Sequence, residues 1–270
     1  MGDWYCIGRD MSGQEYVSDE LTHFVGRGLK TEEEQFRLLM EILRTGWLRA
    51  TYRVEFGAGF TMMTDPRKPL TSNETVRAAA VCFCDIPLDA LKMHMAKYSR
   101  FGLAFAKQYM LSRGASPVFY VAADATAPVR PGIGPRTLGE EFNLLYRELG
   151  VFCCEMDEYA FARNPQETGG MRITFKLAPE GTPGELKILG KLHALLNDLD
   201  RMVFSRLKFF EGRLPADHKE SYYMEREWRK MDGLGFQLQH VRRIILPQRF
   251  ERRLRELLPA YAGDVHTIAD

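Results

Sequence analysis

The chain has 270 residues, 45% apolar and 27% charged, with 37 basic against 36 acidic side chains. This is the composition of an ordinary globular protein long enough to bury a substantial core, and the near-zero net charge names no partner. Residues 1–10 hold no apolar run of signal-peptide length and no stretch approaches the roughly 18–20 apolar residues that span a bilayer, so the expectation is a cytoplasmic protein with no membrane association.

Five cysteines are an odd number for a disulfide framework. Cys82, Cys84, Cys153 and Cys154 lie in apolar runs, where a reduced thiol packs as a small hydrophobe. The one-residue gap between Cys82 and Cys84, with no C-x-x-C and no close histidine pair, gives no zinc spacing, and no metal is expected.

Residues 16–25 read as an extended segment entering a Gly26-Arg27-Gly28 turn. Thr31 and Glu34 then form a capping box for a helix with Phe36, Leu39, Met40 and Leu43 on its apolar face and Gly46 at its end. Residues 51–75 read as a long loop with short extended pieces. Residues 79–86 read as a buried strand, after which Pro87 opens a helix bearing Leu88, Leu91 and Met95 on one side and ending near Tyr98.

A strand over 101–106, a short helix over 107–113 closed by Gly114, and a strand over 117–122 follow. Proline and glycine in 126–136 mark a surface connection. A helix covers 139–150, followed by an apolar segment 151–154, a turn at 165–170 and a longer amphipathic helix over 186–203 that merges into 204–210. Residues 222–229, 236–240 and 241–246 read as late strands, and 247–258 as a closing helix. The interleaving is irregular and lacks a glycine-rich βαβ opening, which argues against a doubly wound nucleotide fold. The expected class is α+β, one domain over 1–270, with a split, mainly antiparallel sheet flanked by helices.

Three passages stand out. They are Tyr16-Val17-Ser18-Asp19-Glu20-Leu21-Thr22-His23-Phe24-Val25-Gly26-Arg27, then Val81-Cys82-Phe83-Cys84-Asp85-Ile86-Pro87-Leu88 running on to His94, Tyr98, Phe101 and Gly102, and Tyr222-Tyr223-Met224-Glu225-Arg226-Glu227-Trp228-Arg229. Together they resemble the AbiGi family of abortive phage-resistance proteins over most of the chain. That resemblance implies the antitoxin of a two-gene defence system, with a cognate toxin as partner.

A second resemblance supplies a chemistry. Thr22-His23 followed by Ile42-Leu43-x-x-Gly46-x-Leu48, a central tyrosine and a late glutamate is similar to the His-Tyr-Glu layout of ADP-ribosyltransferases of the DarT type. It implies an ADP-ribosyltransferase-like fold, NAD as substrate, and nucleic acid or protein as acceptor. Cleaving the nicotinamide bond passes through an oxocarbenium-like sugar, which needs a fixed carboxylate near the ribose. Glu227 is the candidate, with Glu225 alternating beside it on a strand and contacting the acceptor. Thr22 and His23 would bind the ribose, Arg27 the pyrophosphate, and Tyr98 the nicotinamide, with His94 four residues earlier on the same helix face.

Each residue has a plainer reading. Glu225, Arg226, Glu227 and Arg229 make an equally good ladder of ion pairs, His23 a half-buried histidine, Tyr98 ordinary packing and Arg27 a loop arginine. Basic residues Lys92, Lys97, Arg100 and Lys107, and Arg242, Arg243, Arg249, Arg252, Arg253 and Arg255, would suit a nucleic acid or simply face water. The leading expectation is therefore a phage-defence protein that is an NAD-dependent mono-ADP-ribosyltransferase-like toxin acting on nucleic acid or protein, with a non-catalytic antitoxin as the alternative.

Overall fold

The computed structural model describes residues 18–50, 62–65, 68–128, 134–160, 190–192, 194–195, 198–199, 201–215, 218 and 222–269. Strands among them are β1 (Glu20–Phe24), β2 (Trp47–Leu48), β3 (Met62–Thr64), β4 (Val76–Ala78), β5 (Ala80–Cys84), β6 (Gly102–Ala106), β7 (Ser116–Pro117), β8 (Phe119–Ala122), β9 (Leu207–Phe210), β10 (Glu227–Met231), β11 (Leu234–Gly235), β12 (Val241–Pro247) and β13 (Asp264–Ile268). Helices are α1 (Glu32–Thr45), α2 (Lys92–Lys97), α3 (Lys107–Ser112), α4 (Leu138–Ala160) and a closing helix Glu251–Leu257. The class is α+β with mainly antiparallel strand pairing, as the sequence predicts. Residue contacts divide the chain into two compact units: Met1–Gly46, Phe83–Arg113 and Phe236–Asp270 form one, Trp47–Cys82 and Gly114–Gly235 the other.

The first unit is built on β1. It pairs antiparallel with β6, Leu21 facing Phe105 and His23 facing Leu103, and its Thr22 pairs with Cys84 of β5. Strand β12 pairs antiparallel with β6 through an irregularity between Val241 and Arg243, and β13 runs parallel to β12. Side chains of Leu21, Leu103, Phe105, Ile244 and Ile245 are fully buried, and the central β6 reads as a continuous apolar run because it is covered on both faces.

Helix α1 forms where local chemistry dictates. Thr31 Oγ1 accepts from the Glu34 amide at 3.2 Å and Glu34 Oε2 accepts from the Thr31 amide at 3.0 Å, closing the capping box. Glu32, Glu33 and Glu34 sit at the positive end of the helix dipole. Gly46 ends the helix at φ 63°, its N–H donating to Ile42 O, and a Cβ there would lie 2.4 Å from the Phe236 carbonyl. The buried face of α1 carries Phe36, stacked on Phe250 at 4.9 Å and tilted against Phe101 at 6.3 Å.

In the second unit, parallel β8 and β9 present Val121, Leu207 and Phe209 to α4 and to helical residue Leu199. Phe142 meets Phe209 edge-on at 5.5 Å, and Tyr146 meets Phe204 at 5.3 Å. Asn73 adopts a left-handed turn and pairs its amide with both backbone groups of Phe209, at 2.8 and 2.7 Å. Antiparallel pairs β3–β4, β7–β10 and β2–β11 complete the unit.

Several expectations are corrected. Pro87 precedes a 3-10 turn, Leu88–Ala90, and α2 starts only at Lys92. The expected strand over 117–122 is broken between Pro117 and Phe119 into β7 and β8, which pair with different partners. The segment 151–154 belongs to α4, which runs on to Ala160. Residues 236–240 contain the 3-10 turn Leu238–His240, not a strand, because the His240 ring nitrogen accepts the Gln237 amide and closes the turn. Strand β13 was not expected, since the pairing that creates it lies in β12. The turn at 165–170, most of the 51–75 loop and the side chains of Cys153 and Cys154 lie outside the described residues.

Candidate functional site

The third sequence motif folds in a way that strand alternation does not anticipate. Residues Tyr222–Glu225 form a 3-10 turn, Arg226 takes the left-handed region at φ 43°, and β10 begins only at Glu227. Glu225 is therefore not on the strand, which corrects the expected side-by-side pair. A bulky residue at positive φ is uncommon and costs about 1 kcal/mol or more. The turn nevertheless directs both carboxylates to one cation.

That cation is Lys208, on β9. Its Nζ lies 2.5 Å from Oε2 of Glu225 and 2.5 Å from Oε2 of Glu227. Arg229 Nε donates to Oε1 of Glu227 at 2.7 Å, and its Nη1 to the Ser205 carbonyl at 2.6 Å. The Glu227 amide donates to the Tyr120 hydroxyl at 2.7 Å. Both glutamates are buried, 7% and 6% exposed. Two carboxylates and two cations thus cancel inside the second unit, the arrangement that burial of charge requires.

The electrostatics follow from that pairing. Burial by itself raises the Glu227 carboxyl, but Arg229 and Lys208 outweigh it and bring the group down to about 2. Lys208 is raised by Glu227 and Glu225 against an opposing desolvation, and Arg229 is raised by Glu227 in the same way. Burial also raises the Tyr120 hydroxyl. Cys82 keeps accessible surface as a residue. Its sulfur nonetheless lies against Glu227, and surrounding protein together with that carboxylate pushes the thiol up to about 12.

The other predicted residues lie in the first unit. Thr22 and His23 are neighbours on β1, so their side chains point to opposite faces of the sheet; Thr22 is buried and His23 tilts against Phe83 at 5.6 Å. Arg27, Tyr98 and His94 are brought together. The Arg27 guanidinium sits 4.9 Å over the Tyr98 ring, Phe24 stacks on Tyr98 at 6.1 Å, and His94 lies 6.2 Å from it. Tyr98 thus already stacks on protein groups.

The expected basic surfaces are largely paired within this unit. Arg242 and Arg243 bind Glu20, Arg100 and Arg249 bind Glu32, and Arg253 binds Glu33.

Sequence reasoning missed Lys208, Tyr120 and a second buried pair, Asp85 with Lys107, whose Nζ lies 3.0 Å from both Asp85 oxygens. A signal for Lys208 exists in the chain: it is one lysine inside the apolar run Leu207-Lys208-Phe209-Phe210. A charge at such a position needs an opposite partner.

Among the described residues, no helix is long and apolar enough to cross a membrane. Comparison with curated proteins and with solved structures finds no match. A family model does match, over residues 57–252, and carries the description "Putative abortive phage resistance protein AbiGi, antitoxin". That span covers the greater part of the chain, including all four members of the Lys208 cluster, and the chain belongs to the AbiGi family.

Proposed function

We propose that this chain is the antitoxin side of an abortive-infection pair, a non-catalytic protein that acts by binding its cognate toxin. The family description names an antitoxin. The observation that carries the reading is the state of Glu227. A carboxylate that stabilises a ribosyl cation must present an oxygen to the substrate. Here Oε1 is held by Arg229 and Oε2 by Lys208, and the residue is 6% exposed. Tyr98, the residue assigned to nicotinamide, stacks on Phe24 and Arg27. The motif residues that an ADP-ribosyltransferase would use are occupied in holding their own units together.

Co-expression with the product of the neighbouring gene tests this. The expected result is restored growth of cells made sick by that product and co-elution of the two chains on size exclusion. In parallel, the purified chain is incubated with radiolabelled NAD, cell lysate and nucleic acid. Label on any acceptor would overturn the reading in favour of the NAD-dependent transferase.

A further inference from the structure

Arg206, just before β9, carries a charge that the second unit leaves unbalanced. It closes the 3-10 turn Phe204–Arg206, where its Nε donates to Ser116 Oγ of β7 at 3.0 Å. Its Nη1 donates to the carbonyls of the helical residues Arg201 and Met202 at 2.7 and 3.4 Å. These bonds fix the half-buried guanidinium in place, but every acceptor among them is a neutral dipole. Among the described residues, no carboxylate pairs with it.

The ionised groups around it have its own sign. Arg229 faces Ser116 across β10 and β7, and its Nη1 reaches the Ser205 carbonyl at 2.6 Å, one residue before Arg206. Burial first, and then the like charges of Arg229 and Arg201, push the Arg206 guanidinium below its ordinary value. The neighbouring acids offer no relief, since Glu225 and Glu227 are already matched by Lys208 and Arg229. Arg206 is thus a surplus positive charge, and an anion placed against it offsets the repulsion.

The donors are set out for an oxyanion. Nη2 of Arg206 makes no hydrogen bond among the described residues, and the Ser116 hydroxyl, which accepts from Nε, keeps its own proton for another acceptor. Arg201 is 54% exposed and holds Asp198 only through a 3.5 Å pair three residues back, the kind of contact that contributes little and is readily exchanged. One guanidinium satisfies a carboxylate through its two oxygens, whereas two guanidiniums and a hydroxyl match the larger charge and additional oxygens of a phosphate.

We infer that Arg206, Arg201 and Ser116 form a binding site for a phosphate group. The inference stands apart from the antitoxin reading, because it depends only on the charge and the donors of this corner of the second unit.

The test is a titration of the full-length, isotope-labelled chain by two-dimensional NMR at low ionic strength, where screening is weak. The probes are inorganic phosphate, a single-stranded tetrathymidylate and acetyl-Ala-Glu-Glu-Ala-amide, with sodium chloride at matched ionic strength as control. Expected are saturable shifts of the Ser116 and Arg206 amides with inorganic phosphate and none with chloride. Affinity should fall about tenfold in Arg206→Gln, which loses the fixed charge, and about threefold in Arg201→Gln, an exposed change that leaves the fold intact. Tighter binding of tetrathymidylate than of inorganic phosphate would assign the group to a nucleic-acid backbone, and the reverse order to a free phosphate. Shifts confined to the glutamate peptide would overturn the inference in favour of a partner's carboxylate. Equal shifts with chloride, shifts that do not saturate, or an affinity unchanged in Arg201→Gln would overturn it as well. Toxin neutralisation is read separately, so failure of the phosphate site and failure of the antitoxin reading are distinguishable.

Discussion

Lys208 and Glu227 stand on different strands, 19 residues apart in sequence, with ammonium and carboxylate 2.5 Å apart in the interior of the second unit. Because Glu225 shares that ammonium and Arg229 closes the other side of Glu227, the group behaves as one balanced unit. Removing a member leaves charge buried without compensation, which is far more costly than replacing the whole set by apolar residues.

Glu227→Ala is therefore expected to destabilise the protein by about 3–5 kcal/mol. Urea unfolding followed by circular dichroism measures it. A loss below about 1 kcal/mol would mean that the cluster is solvated like an exposed pair.

The same pairing fixes the acid limb of stability. Glu227 has its carboxyl depressed to about 2 in the fold from an ordinary value of 4.5. A depressed carboxyl contributes stability that is fully present above the unfolded value and is lost as pH falls through the folded one. The urea midpoint should hold steady above about pH 5 and decline between about pH 4.5 and 2. In Glu227→Gln that decline should be shallower, because one proton-linked group is gone.

Cys82 offers a reactivity prediction. The residue keeps some accessible surface, but its sulfur is packed among protein atoms against Glu227, which pushes the thiol up to about 12. Since the thiolate is the nucleophile, alkylation by iodoacetamide at pH 7 should run about 10²–10³-fold slower than that of an unperturbed cysteine. Peptide mass spectrometry over time reads the rate at this position, and labelling as fast as free glutathione would contradict the assigned contact.

Gly46→Ala should cost about 2 kcal/mol or more, measured as a drop in melting temperature. The backbone is at φ 63° and the new methyl would meet the Phe236 carbonyl at 2.4 Å. The strain adds to the contact, since left-handed backbone already disfavours any Cβ.

The sequence read well where structure is local. The Thr31–Glu34 capping box, the apolar face of α1 and the Gly46 terminator were all legible, because each interaction closes within four residues. The His94–Tyr98 contact was legible for the same reason, and the strand before Ile86 from its apolar run. The family that the motifs resemble is the one to which the chain belongs.

Their roles were another matter. Period-two alternation put Glu225 and Glu227 on one strand face, but a left-handed Arg226 and a 3-10 turn were what aimed them at Lys208. Nothing in the chain near residue 227 announces that Lys208, Tyr120 and Ser205 will surround it, since the contacts span 19, 107 and, through Arg229, 24 residues. By itself the sequence determined the capped helix α1 with its buried face and terminator. Only tertiary structure decided which charges are brought together, because that depends on which distant strand lies alongside, and a buried charge needs an opposite partner.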